Sequence, residues 1–124
     1  MKAISVKQPW ASLIANGRKT VELRSWPITY RGPLVIVASV SAERDALARF
    51  DIDDLPRGAT VAIVDVVDVR PAHASDEAAA MVTPERGEYA WCLANPRPLA
   101  PVRVRGRLGL YDVDDALVAF AGVA

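Results

Sequence analysis

The sequence predicts an α+β fold, a mixed β-barrel with short peripheral helices. Several short apolar and β-branched runs, from Ala3–Val6 to Val102–Tyr111, are separated by short helical stretches that do not follow strict βαβ order. The longest run, Ala59–Val69, changes the parity of its apolar face near Asp65, a bulge or corner of the kind small barrels require. A chain of 124 residues fits one domain, so residues 1–124 are read as a single unit. At that size a chain buries roughly two-thirds of its unfolded surface and stands without metal or disulfides.

The elements follow in order. Ala3–Val6 is the first strand. Pro9 then occupies the first helical position, Trp10, Leu13 and Ile14 share one helix face, and Gly17 stops the helix. Thr20–Trp26 alternates in period two, so Val21 and Leu23 face one side and Glu22, Arg24 and Trp26 the other. Arg31-Gly32-Pro33 turns the chain into Leu34–Ala38, an apolar run suited to a strand buried on both faces. A short helix over Glu43–Phe50 ends at the turn Asp53-Asp54-Leu55-Pro56-Arg57-Gly58, ahead of the Ala59–Val69 strand. Ser75 is placed to cap a short helix running through Met81. Glu88–Leu93 and Val102–Tyr111 complete the strands, and Asp112–Phe120 closes the chain as a helix.

Composition narrows the chemistry. Cys92 is the single cysteine, which excludes an internal disulfide and a thiolate metal cluster. His73 is the single histidine, so a multi-histidine zinc site is excluded; its loop setting marks it as an exposed bystander. No metal and no cofactor are expected. Fifteen basic and fifteen acidic residues cancel, which argues against a non-specific RNA coat but not against a pocket that reads one base. No apolar run approaches the roughly 20 residues of a membrane span. The start, Met1-Lys2-Ala3-Ile4, runs directly into a strand and carries no secretory apolar region, so a cytoplasmic location is expected.

The most informative segment is Gly17-Arg18-Lys19-Thr20-Val21-Glu22-Leu23-Arg24. Gly17 ends the helix sharply and leaves Lys19 between helix and strand, where its stem reaches a cleft. Glu22 and Arg24 project from one strand face roughly 7 Å apart. A carboxylate and a guanidinium so placed accept from and donate to the edges of a planar base; a solvated ion pair of under about 1 kcal/mol fits the same spacing. A second pattern, Val102–Leu108, puts Arg103, Arg105 and Arg107 on one face, either as a rail for phosphates or as an ordinary solvent-facing strand.

Gly17-x-Lys19-x-x-Glu22-x-Arg24 resembles the G-x-K-x-x-E-x-R signature of ASCH domains, and Ser5–Trp10 and Ser25-Trp26-Pro27 look like the start of that family. Tyr89–Leu99 and Gly106–Asp112 resemble its C-terminal strands, so the similarity runs from about residue 3 to 113 and is weakest over residues 41–88. The resemblance implies a PUA-like barrel with a crevice between the first helix and the sheet, and relatives that bind RNA or hold a modified base in an aromatic pocket. The candidate ligand contacts are then Lys7, Gln8, Trp10, Lys19, Glu22, Arg24, Trp26, Tyr89 and Trp91. Tyr30 is a further aromatic candidate. Trp26 is the favoured stacking residue because it shares the strand face of Glu22 and Arg24, whereas Trp10 reads as core.

Two functions compete on this reading, a binder of RNA or a modified nucleoside and a small hydrolase; a protein partner is a third role. Some relatives resemble N4-acylcytidine amidohydrolases or ribonucleases. In the amidohydrolases the lysine matching Lys19 works with a threonine and a separate glutamate, but Glu22 stands here in place of that threonine. If the chain is an enzyme, Lys19 and Glu22 are its catalytic residues, with Thr20 an imperfect hydroxyl and Glu77, Glu85 or Glu88 the second acid. Glu22 is expected to hold Lys19 charged and quench it as a base, which favours the binder.

Overall fold

The structure, a computed structural model, describes residues 1–51, 55–116 and 118. Its elements are β1 (Lys2–Gln8), α1 (Trp10–Ala15), β2 (Val21–Arg24), β3 (Gly32–Ala42), α2 (Arg44–Arg49), β4 (Ala59–Pro71), a 3₁₀ turn (Ala74–Asp76), α3 (Glu77–Ala80), β5 (Tyr89–Pro98) and β6 (Leu110–Asp112). The strands form one six-stranded sheet in the order β2-β5-β4-β3-β1-β6. β1 runs parallel to β3, and every other neighbouring pair is antiparallel.

The long strand β4 organises the sheet. Its ladder with β5 slips between Ile63 and Asp65 and again between Val66 and Asp68, the break that the parity change near Asp65 anticipates. The ladder with β3 slips between Ile36 and Val37. Such irregularities increase twist and curl a sheet. One face carries Ile4, Val6, Leu34, Ile36, Val64, Val66 and Trp91 and buries Ala11 and Ile14 of α1. Val35 and Val37 point the other way, against Ala3, Tyr111 and Val118, so β3 is buried on both faces. A satellite cluster joins Val21 of β2 to Ala80 of α3 and Ala90 of β5.

Three expectations need correction. The sheet is not closed into a barrel: no ladder joins β2 to β1 or β6 among the described residues. The expected Val102–Tyr111 strand is reduced to a single bridge, Arg103 to Ala59, and the three residues of β6. Gly109 adopts φ +70° just before β6, a left-handed conformation that no regular strand contains. The helix after His73 is not capped by the Ser75 side chain; the His73 N–H donates to the Asp76 carboxylate at 2.8 Å instead. The Asp53-Asp54 part of the expected turn lies outside the described residues, as do residues 117, 119 and 120 of the expected terminal helix. No helix of the described residues is long and apolar enough to cross a membrane.

Candidate functional site

β6 pairs with β1 only from Lys2 to Ile4. Beyond Ile4 the β1 edge has no ladder with β6, and the Arg24 Nη2 of β2 donates to the Ser5 carbonyl at 3.0 Å. The gap between these two strand ends is a crevice of about 480 Å³. β1 contributes Ser5 and Lys7 to it, and β2 contributes Glu22 and Arg24. Trp10 of α1 and Lys19 lie on the helix side, with Glu88 and Arg107 from later in the chain.

Local backbone chemistry delivers Lys19. Gly17 takes φ +82° to end the helix turn, after which the Lys19 N–H returns to the Leu13 carbonyl at 3.0 Å. The Lys19 side chain is buried, with 2% of its surface exposed. Its Nζ donates to the Ala80 carbonyl, sits 3.5 Å from Glu22 Oε1 and lies 5.3 Å from the Trp10 ring centroid. Lys19 is therefore a buried group at the base of the crevice, not a mobile arm at its mouth. Burial pushes its pKa below the ordinary lysine value, and the Glu22 charge opposes that shift without reversing it. Glu22 thus favours the charged amine, as expected, while burial works against it.

Glu22 and Arg24 share a face of β2, as the period-two pattern requires, yet they are not a loose surface pair. Glu22 Oε2 accepts from Arg24 Nε at 3.1 Å and from Nη2 at 2.8 Å, and the Glu22 side chain is only 12% exposed. Both carboxylate oxygens are engaged, one by Arg24 and the other by Lys19. Arg24 Nη1 makes no hydrogen bond to a described residue. A planar donor fixed on two sides in this way presents a preset edge to a ligand.

The structure brings Lys7, Trp10, Lys19, Glu22 and Arg24 together at the crevice, and it leaves Gln8, Trp26, Tyr89 and Trp91 elsewhere. Gln8 is fully buried, clamping the start of α1: its amide donates to Ser12 Oγ and the Pro56 carbonyl, both at 2.9 Å, while its oxygen accepts from Ser12 N–H at 3.0 Å. Trp26 does not share the Glu22 face because β2 ends at Arg24 and the chain bends at Ser25. It meets Trp91 edge-on at 4.9 Å, and the buried Trp91 indole donates to the Trp26 carbonyl at 3.2 Å. Tyr89 packs against the same core. Tyr30 lies outside the crevice, its hydroxyl donating to the Pro33 carbonyl. Trp10, read from its spacing as core, is the half-buried aromatic wall of the crevice, with Phe50 edge-on at 5.9 Å and the Arg49 guanidinium 5.7 Å from its ring centre.

Of the three glutamates left open as the second acid, Glu88 reaches the crevice. Thr20 is exposed and lines a separate small cavity beside Gly17 and Pro96. The arginine row does not act as a rail: Arg107 reaches the crevice, whereas Arg103 and Arg105 do not. Spacing could not reveal this, because it depends on the irregular backbone around Gly106. Ser39, Glu43 and Leu108 also touch the crevice without any signal in the sequence.

A protein-family model described as the ASCH domain matches residues 4–103. Activating signal cointegrator 1 from Homo sapiens is 38% identical over 79 residues, covering 52% of this chain and 14% of that protein. The Mus musculus protein of the same name is 35% identical over 79 residues with the same coverage. The chain thus spans about one-seventh of the length of the curated relatives it matches. The crystal structure of ASCH from Zymomonas mobilis superimposes with a TM-score of 0.68 at 14% identity, covering 95% of this chain and 90% of that one. A single-substitution mutant of the Zymomonas mobilis protein superimposes with a TM-score of 0.63 at 13% identity, over 96% and 94% of the two chains.

Proposed function

The chain belongs to the ASCH domain family, and from that premise we propose that its crevice binds one planar base of an RNA or a modified nucleoside. The observation that carries the reading is the Glu22–Arg24 unit. Arg24 is held by Glu22 and by the Ser5 carbonyl, so its free Nη1 edge is oriented before a ligand arrives and loses little rotamer freedom on binding. A base lying along Trp10 and accepting from that edge satisfies both the apolar wall and the unpaired donor. Stacking on one aromatic ring contributes about 1–3 kcal/mol, and a hydrogen bond to a charged donor a similar amount.

A titration of intrinsic fluorescence with ribonucleosides and their modified forms tests this. Nucleosides should quench the protein, Trp10→Ala should remove most of the response, and Arg24→Lys should weaken affinity by about tenfold or more. No response to any nucleoside, or unchanged affinity in Arg24→Lys, refutes the reading.

One observation favours the second reading, a hydrolase: the buried Lys19 amine has a lowered pKa and lies on the same crevice as Glu88. Against it, Glu22 is engaged on both oxygens, and the Thr20 hydroxyl is outside the crevice. The purified protein should therefore show no turnover of N4-acetylcytidine. Turnover abolished by Lys19→Ala makes the domain an amidohydrolase.

A further inference from the structure

The crevice has two chemically different ends. Lys19, Glu22 and Trp10 form its inner part, and the other end is organised around Ser5. The Ser5 carbonyl accepts from Arg24 Nη2 at 3.0 Å, and the Ser5 hydroxyl lies 2.7 Å from the Tyr111 hydroxyl. Gly106 is pressed against the same serine: a Cβ at residue 106 would come within 2.9 Å of Ser5 Oγ. A side chain there would push the Ser5 hydroxyl aside, and with glycine in place the next residue, Arg107, lines the crevice. Lys7 follows Ser5 by two positions on β1 and lines the same wall.

Two of the cations there, Arg107 and Lys7, are poorly neutralised, whereas Arg24 is paired with Glu22 at 2.8 Å. Arg24 Nη1 and the Arg107 guanidinium make no hydrogen bond or ion pair with a described residue. Lys7 has one loose partner, Glu43, at 3.7 Å, with both side chains about half exposed. The crevice also carries Glu22, engaged by Arg24 and Lys19, and Glu88, which accepts the Glu85 N–H at 2.7 Å through Oε1. Arg107 and Lys7 thus reach the crevice from separate segments without a tight carboxylate partner among the described residues, a local feature that the zero formal net charge of the chain does not reveal.

We infer that Arg107 and Lys7 form a phosphate subsite beside Arg24, so that the ligand of the crevice is a nucleotide with its base on the Arg24 edge and its phosphate at the Ser5 end. This rests on the base-binding reading and deepens it from a nucleoside to a phosphorylated ligand. A guanidinium with unused donors matches a phosphate bidentately, and Lys7 adds a point charge. Arg107 is exposed, so it is presented without a structural task of its own.

The test compares each of the four ribonucleosides with its 5′- and 3′-monophosphate by calorimetry at low salt, with inorganic phosphate and pyrophosphate as further probes. A monophosphate should bind about tenfold or more tightly than its nucleoside, and that ratio should fall close to one in Arg107→Ala. The ratio should also shrink as salt rises. A dinucleoside monophosphate that keeps the gain assigns an internal phosphodiester; one that loses it assigns a terminal phosphate. Equal affinity for nucleoside and monophosphate, or a ratio unchanged in Arg107→Ala, overturns the subsite and leaves the base pocket standing. Pyrophosphate binding lost in Arg107→Ala, without any nucleoside response, keeps the subsite and sinks the base reading. Silence from every probe sinks both.

Discussion

Replacing Glu22 by glutamine keeps the shape of the crevice floor and removes its central negative charge. In the native protein that charge lies 3.5 Å from the buried Lys19 amine and accepts two hydrogen bonds from Arg24. Removing one partner of a buried pair costs about 3–5 kcal/mol where the other charge is left stranded. Here glutamine still accepts through its amide oxygen and the Glu22 site is not wholly dry, so about 2–4 kcal/mol is expected at pH 7. The deficit should depend on pH with a definite sign. Burial already holds the folded Lys19 below its ordinary value of 10.5, and the Glu22 charge is the largest influence opposing that fall. Without it the folded pKa drops further. Between its folded and ordinary values Lys19 carries fewer protons folded than unfolded, so stability rises with pH across that window. The window opens at lower pH in the variant, so the variant gains more on alkalinisation and its deficit narrows as pH climbs towards 10.5. What remains above that window is the weaker acceptor for Arg24, about 1 kcal/mol and independent of pH because arginine does not titrate. Urea unfolding of both proteins at intervals from pH 6 upward reads this directly. A deficit equal at neutral and alkaline pH would refute the charge linkage between Glu22 and Lys19.

Two further outcomes follow from the packing. Trp26→Ala should lower stability by about 3–5 kcal/mol while leaving nucleoside affinity intact, because Trp26 meets the buried Trp91 and not the crevice; thermal melts beside the binding titration separate the two. Asp76 is buried and accepts two bonds from Arg70 at 2.8 and 2.9 Å, and that guanidinium holds its carboxyl well below the usual carboxylate range. Its contribution is complete above the ordinary value of 3.8 and is lost as pH falls towards the depressed folded value, so Asp76→Asn should flatten the acid limb of the stability profile. An unchanged acid limb would show that Asp76 carries no linkage.

The sequence made the strands legible wherever pattern is a local property. Leu34–Ala38 is apolar at every position, and β3 is buried on both faces. Glu22 and Arg24 share a face because side-chain direction alternates along any strand. Reading failed where a side chain's place depends on the path of the chain beyond its strand. Trp26 lies one residue past a bend that period-two counting cannot see, so it turns into the core. Trp10 has the spacing of a core residue, yet α1 is only six residues long and its first residue stands at the end of the core, beside the crevice. Arg107 looked like one of three equivalent arginines until Gly106, by closing on Ser5, distinguished it. The place of Lys19 between helix and strand is legible from Gly17, but its burial depends on the tertiary position of the Ala80 carbonyl.

The open sheet connects these observations. A strand edge without a partner exposes unpaired carbonyls and amides, which proteins ordinarily cover or pair. β6 stops at Leu110, opposite Ile4, and leaves the β1 edge beyond uncovered on that side. Arg24 covers the Ser5 carbonyl from across the gap, substituting one side-chain donor for a ladder. A single guanidinium joins the two ends without filling the space between them, whereas a continued ladder would have closed it. The crevice therefore exists because closure is left to Arg24, and the same residue offers the preset donor edge to a ligand. That economy ties the site to the fold: Glu22 orients Arg24, Lys19 neutralises Glu22, and α3 receives Lys19 through Ala80. Exchanging any member changes the ligand's donor edge and the join between strand ends together, so binding and stability at this site are coupled through Arg24.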